Sequence, residues 1–133
     1  MNRNLLRLVL VAFTACFISI ITIANRGNAE GIWTIVGTVP YGDKWGHLVL
    51  VGTLSLLLNS VWNGKPAPWR FHRVMFGSLL LAIVMTLEEG SQAFIPSRSC
   101  DGLDWLANML GIAIGEWGTR RFLRKSSYSR QKG

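Results

Sequence analysis

Four apolar runs, separated by short polar segments, constrain the fold of this chain more than any other feature. They cover residues 8–23, 45–62, 74–87 and 103–122. Counted from Leu5, the first run approaches the ~20 residues that an α-helix needs to cross a bilayer. Half of the 133 residues are hydrophobic and only 16% are charged, whereas ordinary soluble domains carry about 25% charged residues. We therefore expect one all-α domain, a polytopic membrane bundle of about four transmembrane helices.

The ends of the runs predict helices over residues 5–24, 44–62, 74–94 and 102–122, followed by a basic tail over 120–133. The segment between the first two contains Pro40-Tyr41-Gly42, a turn signal. Within it, residues 32–36 are a candidate for one extra short interfacial helix. A cleaved signal peptide is the rival interpretation of the first run. Signal h-regions usually cover about 7–15 residues, and this run is longer, which favours a retained helix.

The positive charges are distributed unevenly between the predicted loops. If the N-terminus lies inside, the inner segments contain Arg3, Arg7, Lys65, Arg70, Arg73, Arg120, Arg121, Arg124, Lys125, Arg130 and Lys132. The outer segments then contain Arg26, Lys44 and Arg98. Positive residues favour the cytoplasmic side, so both termini are predicted to be cytoplasmic. The net charge of +7 comes largely from a terminal cluster beside an apolar run, a pattern typical of contact with anionic lipids. We expect membrane lipids, and no nucleic acid, as partners.

Polar residues lie at the outer ends of three predicted helices. They form three pairs spaced four apart: Asp43 and His47, Glu88 and Gln92, Asp104 and Asn108. Such pairs lie along one face of a helix. Ionisable side chains at membrane depth usually face the bundle interior or a water-filled cavity. We predict that these pairs, together with Lys44, line an outward-facing ligand pocket, and that Arg98 in the last loop binds an anionic group there.

Simpler interpretations of several of these residues stay open. Asp101 or Asp104 would also serve as the N-cap of the fourth helix, where Asp is favoured. His47 would also fit as a neutral histidine that is hydrogen-bonded inside the bundle. Glu89, next to Glu88, is expected to point elsewhere, into solvent.

A resemblance follows from the motifs in their order along the chain. They are Asp43-Lys44-x-x-His47, then Glu88-x-x-x-Gln92-x-x-x-Pro96-x-Arg98, then Asp104-x-x-Ala107-Asn108-x-x-Gly111-x-x-x-Gly115. This order resembles the VanZ-like family of small bacterial membrane proteins. The resemblance implies a multi-pass protein of the bacterial cytoplasmic membrane. The family's founding member is associated with low-level resistance to the glycopeptide antibiotic teicoplanin, so a link to resistance is an expectation by resemblance alone. Gly111 and Gly115, separately, have the spacing of close helix packing.

Three functions are compatible with this sequence. The first is a protein that binds or modulates a cell-envelope component, such as a lipid or a lipid-linked cell-wall precursor. The second is a membrane-embedded enzyme, in which His47, Glu88 and Asp104 are the candidates for acid/base chemistry or for metal ligation. The third is a polar network that only fixes helix packing. The sequence contains no HExxH motif and no clustered histidines, so we predict no metal and no cofactor.

Overall fold

Four α-helices make up most of the computed structural model, which describes residues 2–26, 38–95 and 101–131. They are α1 (Arg3–Asn25), α2 (Gly42–Val61), α3 (Phe76–Gln92) and α4 (Gly102–Gln131). The described residues contain no strand, so the predicted all-α class is confirmed. The suggested interfacial helix over residues 32–36 lies outside the described residues.

The helix ends follow local sequence signals. The side chain of Asn2 accepts a hydrogen bond from the backbone N–H of Asn4 at 3.0 Å and caps α1. After α2, Asn63 and Gly64 adopt left-handed backbone with φ of 52° and 66°, a conformation that suits Gly and Asn after a helix. Helix α4 continues to Gln131, past the predicted end near residue 122. The basic tail therefore begins as helix, and Arg120 pairs there with Glu116 one turn earlier.

Successive helices run in opposite directions. The indole of Trp105 near the start of α4 donates to Thr86 in the second half of α3 at 3.0 Å. At the other end of the bundle, Glu116 of α4 accepts from the backbone N–H of Met75, just before α3, at 3.1 Å. The starts of α2 and α4 and the end of α3 consequently lie at the same end of the bundle.

Helices α2 and α4 run parallel and form the largest interface in the bundle. Glycines allow their backbones to meet. A Cβ atom placed on Gly111 would lie 2.6 Å from the carbonyl oxygen of Leu48 and 3.0 Å from the nitrogen of Gly52. A Cβ atom on Gly115 would lie 2.8 Å from Cβ of Ser55. The two glycines singled out from the sequence thus lie at the closest approach of α2 and α4, with Gly52 opposite.

The interior combines a small apolar core with many buried polar groups. The core comprises Phe17, Val51, Leu54, Leu81, Met85 and Ile112, from all four helices. The buried polar residues are Ser55, Asn59, Ser78, Glu89, Gln92, Asp104, Asn108 and Thr119. All four helices also expose large apolar side chains along their middle turns, among them Val11, Val49, Val84 and Ile114. Polar groups inside and large apolar side chains outside are the reverse of the usual arrangement. Large exposed apolar patches are rare on soluble monomers.

Helix α1 is the one described helix that is long and apolar enough to cross a membrane by itself. Its most apolar window has a mean hydropathy of 2.4, and 11% of that window is buried. A signal sequence, or the core helix of a soluble protein, has the same length and composition. Helix α3, at 17 residues, is shorter than a typical span. The observed architecture is therefore a four-helix bundle that contains one candidate span.

Candidate functional site

Nine polar side chains gather where α2 and α4 begin and α3 ends. This polar cluster consists of Asp43, Lys44, His47, Glu88, Glu89, Gln92, Asp101, Asp104 and Asn108. Asp101 immediately precedes α4, and the other members belong to the three helices. These residues are far apart in sequence, and the alternating helix directions bring them to the same end of the bundle.

Lys44 occupies the centre of the charged part of the cluster. Its Nζ lies 2.7 Å from Oδ2 of Asp43, 2.6 Å from Oδ2 of Asp101 and 2.8 Å from Oδ1 of Asp104. The Lys44 side chain is 20% exposed and that of Asp104 is 11% exposed. An ammonium group is compact and has three donors that rotate freely, which suits a position among three carboxylates. Lys44 thereby links the start of α2 to the start of α4.

His47 and Asn108 lie one turn deeper than this ion-pair group. Nδ1 of His47 is 3.1 Å from Oδ1 of Asn108, and Nε2 is 3.8 Å from Oδ2 of Asp104. The second distance is too long for a direct hydrogen bond. Asn108 is fully buried, and its Nδ2 has no hydrogen-bond partner among the described residues. A buried donor without a partner costs about 1–3 kcal/mol, so the Asn108 amide keeps one donor free for an acceptor group.

Glu89 and Gln92 connect α3 to the rest of the cluster. Both are buried. The Gln92 amide donates to Oε2 of Glu89 at 3.2 Å and to Oε1 of Glu88 at 3.1 Å. The other oxygen of Glu89 accepts from the backbone N–H of Asp101 at 2.8 Å. The expectation that Glu89 points into solvent is therefore wrong, because its carboxylate holds the segment that leads into α4.

Glu88 lies at the edge of the cluster, half-buried. It also lines the end of an apolar groove of about 260 Å³ between α1, α2 and α3. Apart from Glu88, the groove is lined by apolar side chains and Thr14. The polar cluster thus adjoins an apolar surface depression.

The two aspartates near the start of α4 have different roles. Asp101 is the capping residue, since its Oδ1 accepts from the backbone N–H of Leu103 at 2.9 Å. Asp104 is buried and faces Lys44 and His47. The ammonium of Lys44, together with the hydrogen bond from Leu103, holds the pKa of Asp101 below its ordinary value. Capping and ion pairing are thus combined in Asp101.

We expect Asp101→Asn to make the protein less sensitive to acid. The pKa of Asp101 is depressed in the folded state, so its contribution to stability is complete above the ordinary aspartate pKa near 4. That contribution is lost as the pH falls through the lower, folded-state value. Asparagine also caps helices well, so the change removes the charge and keeps the cap. Unfolding free energies measured from about pH 7 to about pH 3 should fall less steeply for the variant. Equal slopes would contradict the assigned ion pair.

The structure brings together every described residue that the sequence predicted to bind a ligand. Arg98, the predicted anion-binding residue, lies outside the described residues. The burial of Glu89 was not predicted from the sequence. A signal was present, because Gln92 follows Glu89 by three positions and Glu88 by four, so its side chain neighbours both carboxylates on the helix surface. In the described part of the chain, no group of three or more His, Cys, Asp or Glu side chains is arranged to hold a metal ion.

Comparison with known proteins found no relative for this chain. No family model matches it, and neither a curated protein nor a solved structure matches it.

Proposed function

We propose that this chain is a four-span protein of the bacterial cytoplasmic membrane, VanZ-like in kind, that binds an envelope component at the polar cluster. The observation that carries the proposal is a partly buried charged network, with Glu89 and Asp104 buried, at one end of a bundle with apolar sides. Exposed apolar residues such as Val49, Val84 and Ile114 suit contact with lipid chains. Intramembrane ionisable residues that face a bundle interior are functional candidates by default.

The distribution of charge supports the membrane orientation. Described basic residues at the end opposite the polar cluster include Arg3, Arg7, Arg70, Arg73 and Arg120, in the segments that begin α1, join α2 to α3 and end α4. The described basic residues at the cluster end are Arg26 and Lys44. By the positive-inside rule, the end rich in arginine faces the cytoplasm and the polar cluster faces outward.

The charge of the cluster favours a ligand that carries a positive group. Its described members include five carboxylates: Asp43, Glu88, Glu89, Asp101 and Asp104. The ammonium of Lys44 offsets one of these five charges. A primary ammonium, as found on aminolipid headgroups and on cell-wall precursors, would relieve this excess. The groove that ends at Glu88 would accommodate part of an attached alkyl chain.

Two buried asparagines allow a matched test. Asn108 belongs to the polar cluster, whereas Asn59 lies near the other end of α2, where its amide donates to Ser78 at 2.8 Å. Both are at most 1% exposed. We expect wild-type protein, purified in mild detergent, to retain an ammonium-bearing envelope lipid in native mass spectrometry. Asn108→Leu should lose it about tenfold, because the unpartnered Nδ2 of Asn108 would donate to a charged headgroup oxygen, and loss of one such hydrogen bond costs about 1.5–3 kcal/mol.

The Asn59→Leu variant should keep the lipid. Equal retention in both leucine variants would contradict a ligand site at Asn108, and equal loss of folded protein without a change in lipid would favour a purely structural network.

An enzyme is the second candidate function, and the placement of His47 favours it. Its imidazole lies between Asn108 and the carboxylate of Asp104. An imidazole oriented by polar neighbours is a common general acid or base. The same mass spectra test this candidate. Turnover is identified if the lipid recovered from wild-type protein has a changed mass while the lipid recovered from His47→Gln does not.

A further inference from the structure

A second cavity opens at the end of the bundle opposite the polar cluster. It has a volume of about 370 Å³ and lies between the start of α1, the end of α2 and the second half of α4. Its walls are largely apolar and include Leu6, Leu57, Val61 and Phe122. This volume falls in the range of about 300–1,000 Å³ typical of small-molecule sites.

Two arginines, Arg3 and Arg7, lie at the edge of this cavity. They stand four positions apart on α1, so both are on one face of the helix. No carboxylate in the described part of the chain forms an ion pair with either of them. Glu116, the one described carboxylate near this end of α4, is engaged by Arg120 and by the backbone N–H of Met75. The positive charge at the cavity therefore lacks a described protein counterion.

The surroundings add positive charge to the same edge. Phe122 of the cavity wall also lines a neighbouring surface depression together with Arg121, Arg124 and Lys125. Basic residues that adjoin an apolar surface are typical of sites for anionic lipid headgroups. The apolar walls would contact an acyl chain, and the guanidinium groups, which form paired hydrogen bonds with phosphate oxygens, would contact the headgroup.

We propose that this cavity binds one anionic phospholipid, with its phosphate at Arg3 and Arg7 and an acyl chain between α1, α2 and α4. The site is separate from the polar cluster and takes a ligand of the opposite charge. The inference rests on the membrane location within the proposed function, and it is independent of what the polar cluster binds.

The test compares two pairs of arginines with equal charge. Purified protein in mild detergent is mixed with phosphatidylglycerol or with phosphatidylcholine of the same chains, and bound lipid is counted by native mass spectrometry. Each basic residue near an anionic lipid contributes about fivefold in affinity, so Arg3→Gln/Arg7→Gln should weaken phosphatidylglycerol binding about thirtyfold. The matched control is Arg70→Gln/Arg73→Gln, since these exposed arginines lie at the same end of the bundle and outside the cavity. The control should bind as wild type does.

A charge-neutral variant tests the cavity itself. Ser60 lines it, and Ser60→Phe should fill it and reduce phosphatidylglycerol binding with every arginine in place. The proposal is overturned if the two arginine pairs have equal effects, if phosphatidylcholine binds as well as phosphatidylglycerol, or if Ser60→Phe binds as wild type does.

The two sites can be distinguished with the polar-cluster variant. Asn108→Leu should retain phosphatidylglycerol whether or not it loses an ammonium-bearing lipid. If the polar cluster binds no ligand, phosphatidylglycerol binding by the Arg3 and Arg7 variants therefore still tests the second site.

Discussion

Lys44→Met is expected to lower the free energy of unfolding by about 3 kcal/mol, near the lower limit for removing one partner of a buried ion pair. The lower limit applies because the Lys44 side chain is 20% exposed and water screens part of the charge. The reason for the loss is that Asp43, Asp101 and Asp104 all lie within 2.8 Å of the Lys44 ammonium. Without it, three carboxylates repel one another between α2 and α4. Denaturant unfolding in mild detergent, followed by circular dichroism, measures the change.

Lys125→Met is the matched control, because Lys125 is exposed on α4 and surface changes usually stay within about 0.5 kcal/mol. The double variant Lys44→Met/Asp104→Asn removes one ammonium and one buried carboxylate together. It should recover part of the stability lost in Lys44→Met, since neighbouring charges couple by about 0.5–3 kcal/mol. Strict additivity of the two single losses would show that Lys44 and Asp104 do not interact.

The helices were predictable from the sequence because their signals are local. These signals depend on neighbouring residues alone. They are the apolar runs, the turn at Pro40-Tyr41-Gly42 and the Asn63-Gly64 pair that follows α2. The end of α4 was not predictable from hydropathy, because the apolar run stops near residue 122 while the helix continues to Gln131. Arginine and lysine are good helix formers, and the Arg120–Glu116 pair spans the transition.

The polar cluster was predictable in outline, and its internal contacts were not. Spacings of four residues and alternating helix directions suffice to place Asp43, Glu88 and Asp104 at one end of the bundle. Which carboxylate faces inward depends on the rotation of each helix, and that is set by packing against its neighbours. The sequence therefore favoured Glu88 over Glu89, whereas Glu89 is the buried one. Likewise, the position of Lys44 among three carboxylates requires the parallel arrangement of α2 and α4.

The glycine contact between α2 and α4 illustrates the same difference between local and tertiary information. The Gly111-x-x-x-Gly115 spacing indicates a packing face, while its partner on another helix has no comparable motif. Gly52 has no other glycine of α2 four positions before or after it, and only the structure places a Cβ on Gly52 at 3.1 Å from the carbonyl oxygen of Gly111. The close approach therefore needs small residues on both helices.

Gly111→Ala should destabilise the bundle by about 2–3 kcal/mol, at the upper end of the usual cost of overpacking. Its new methyl group would lie 2.6 Å from the carbonyl oxygen of Leu48, a backbone atom that cannot move without displacing α2. Gly46→Ala is the matched control within α2, because a Cβ there meets no atom within 4 Å. Alanine exceeds glycine in helix propensity by about 1 kcal/mol, so the control should be neutral or slightly stabilising.

The same substitution should also disturb the polar cluster, because Lys44 and Asp104 are held by the two helices that Gly111→Ala would separate. If the methyl group moves α4 away from α2, the Lys44–Asp104 distance of 2.8 Å cannot be kept. We then expect Gly111→Ala to add little further loss in a Lys44→Met background, since the ion pair is already absent there. Full additivity of the two losses, or equal stability of Gly111→Ala and Gly46→Ala, would contradict a cluster that depends on the glycine contact.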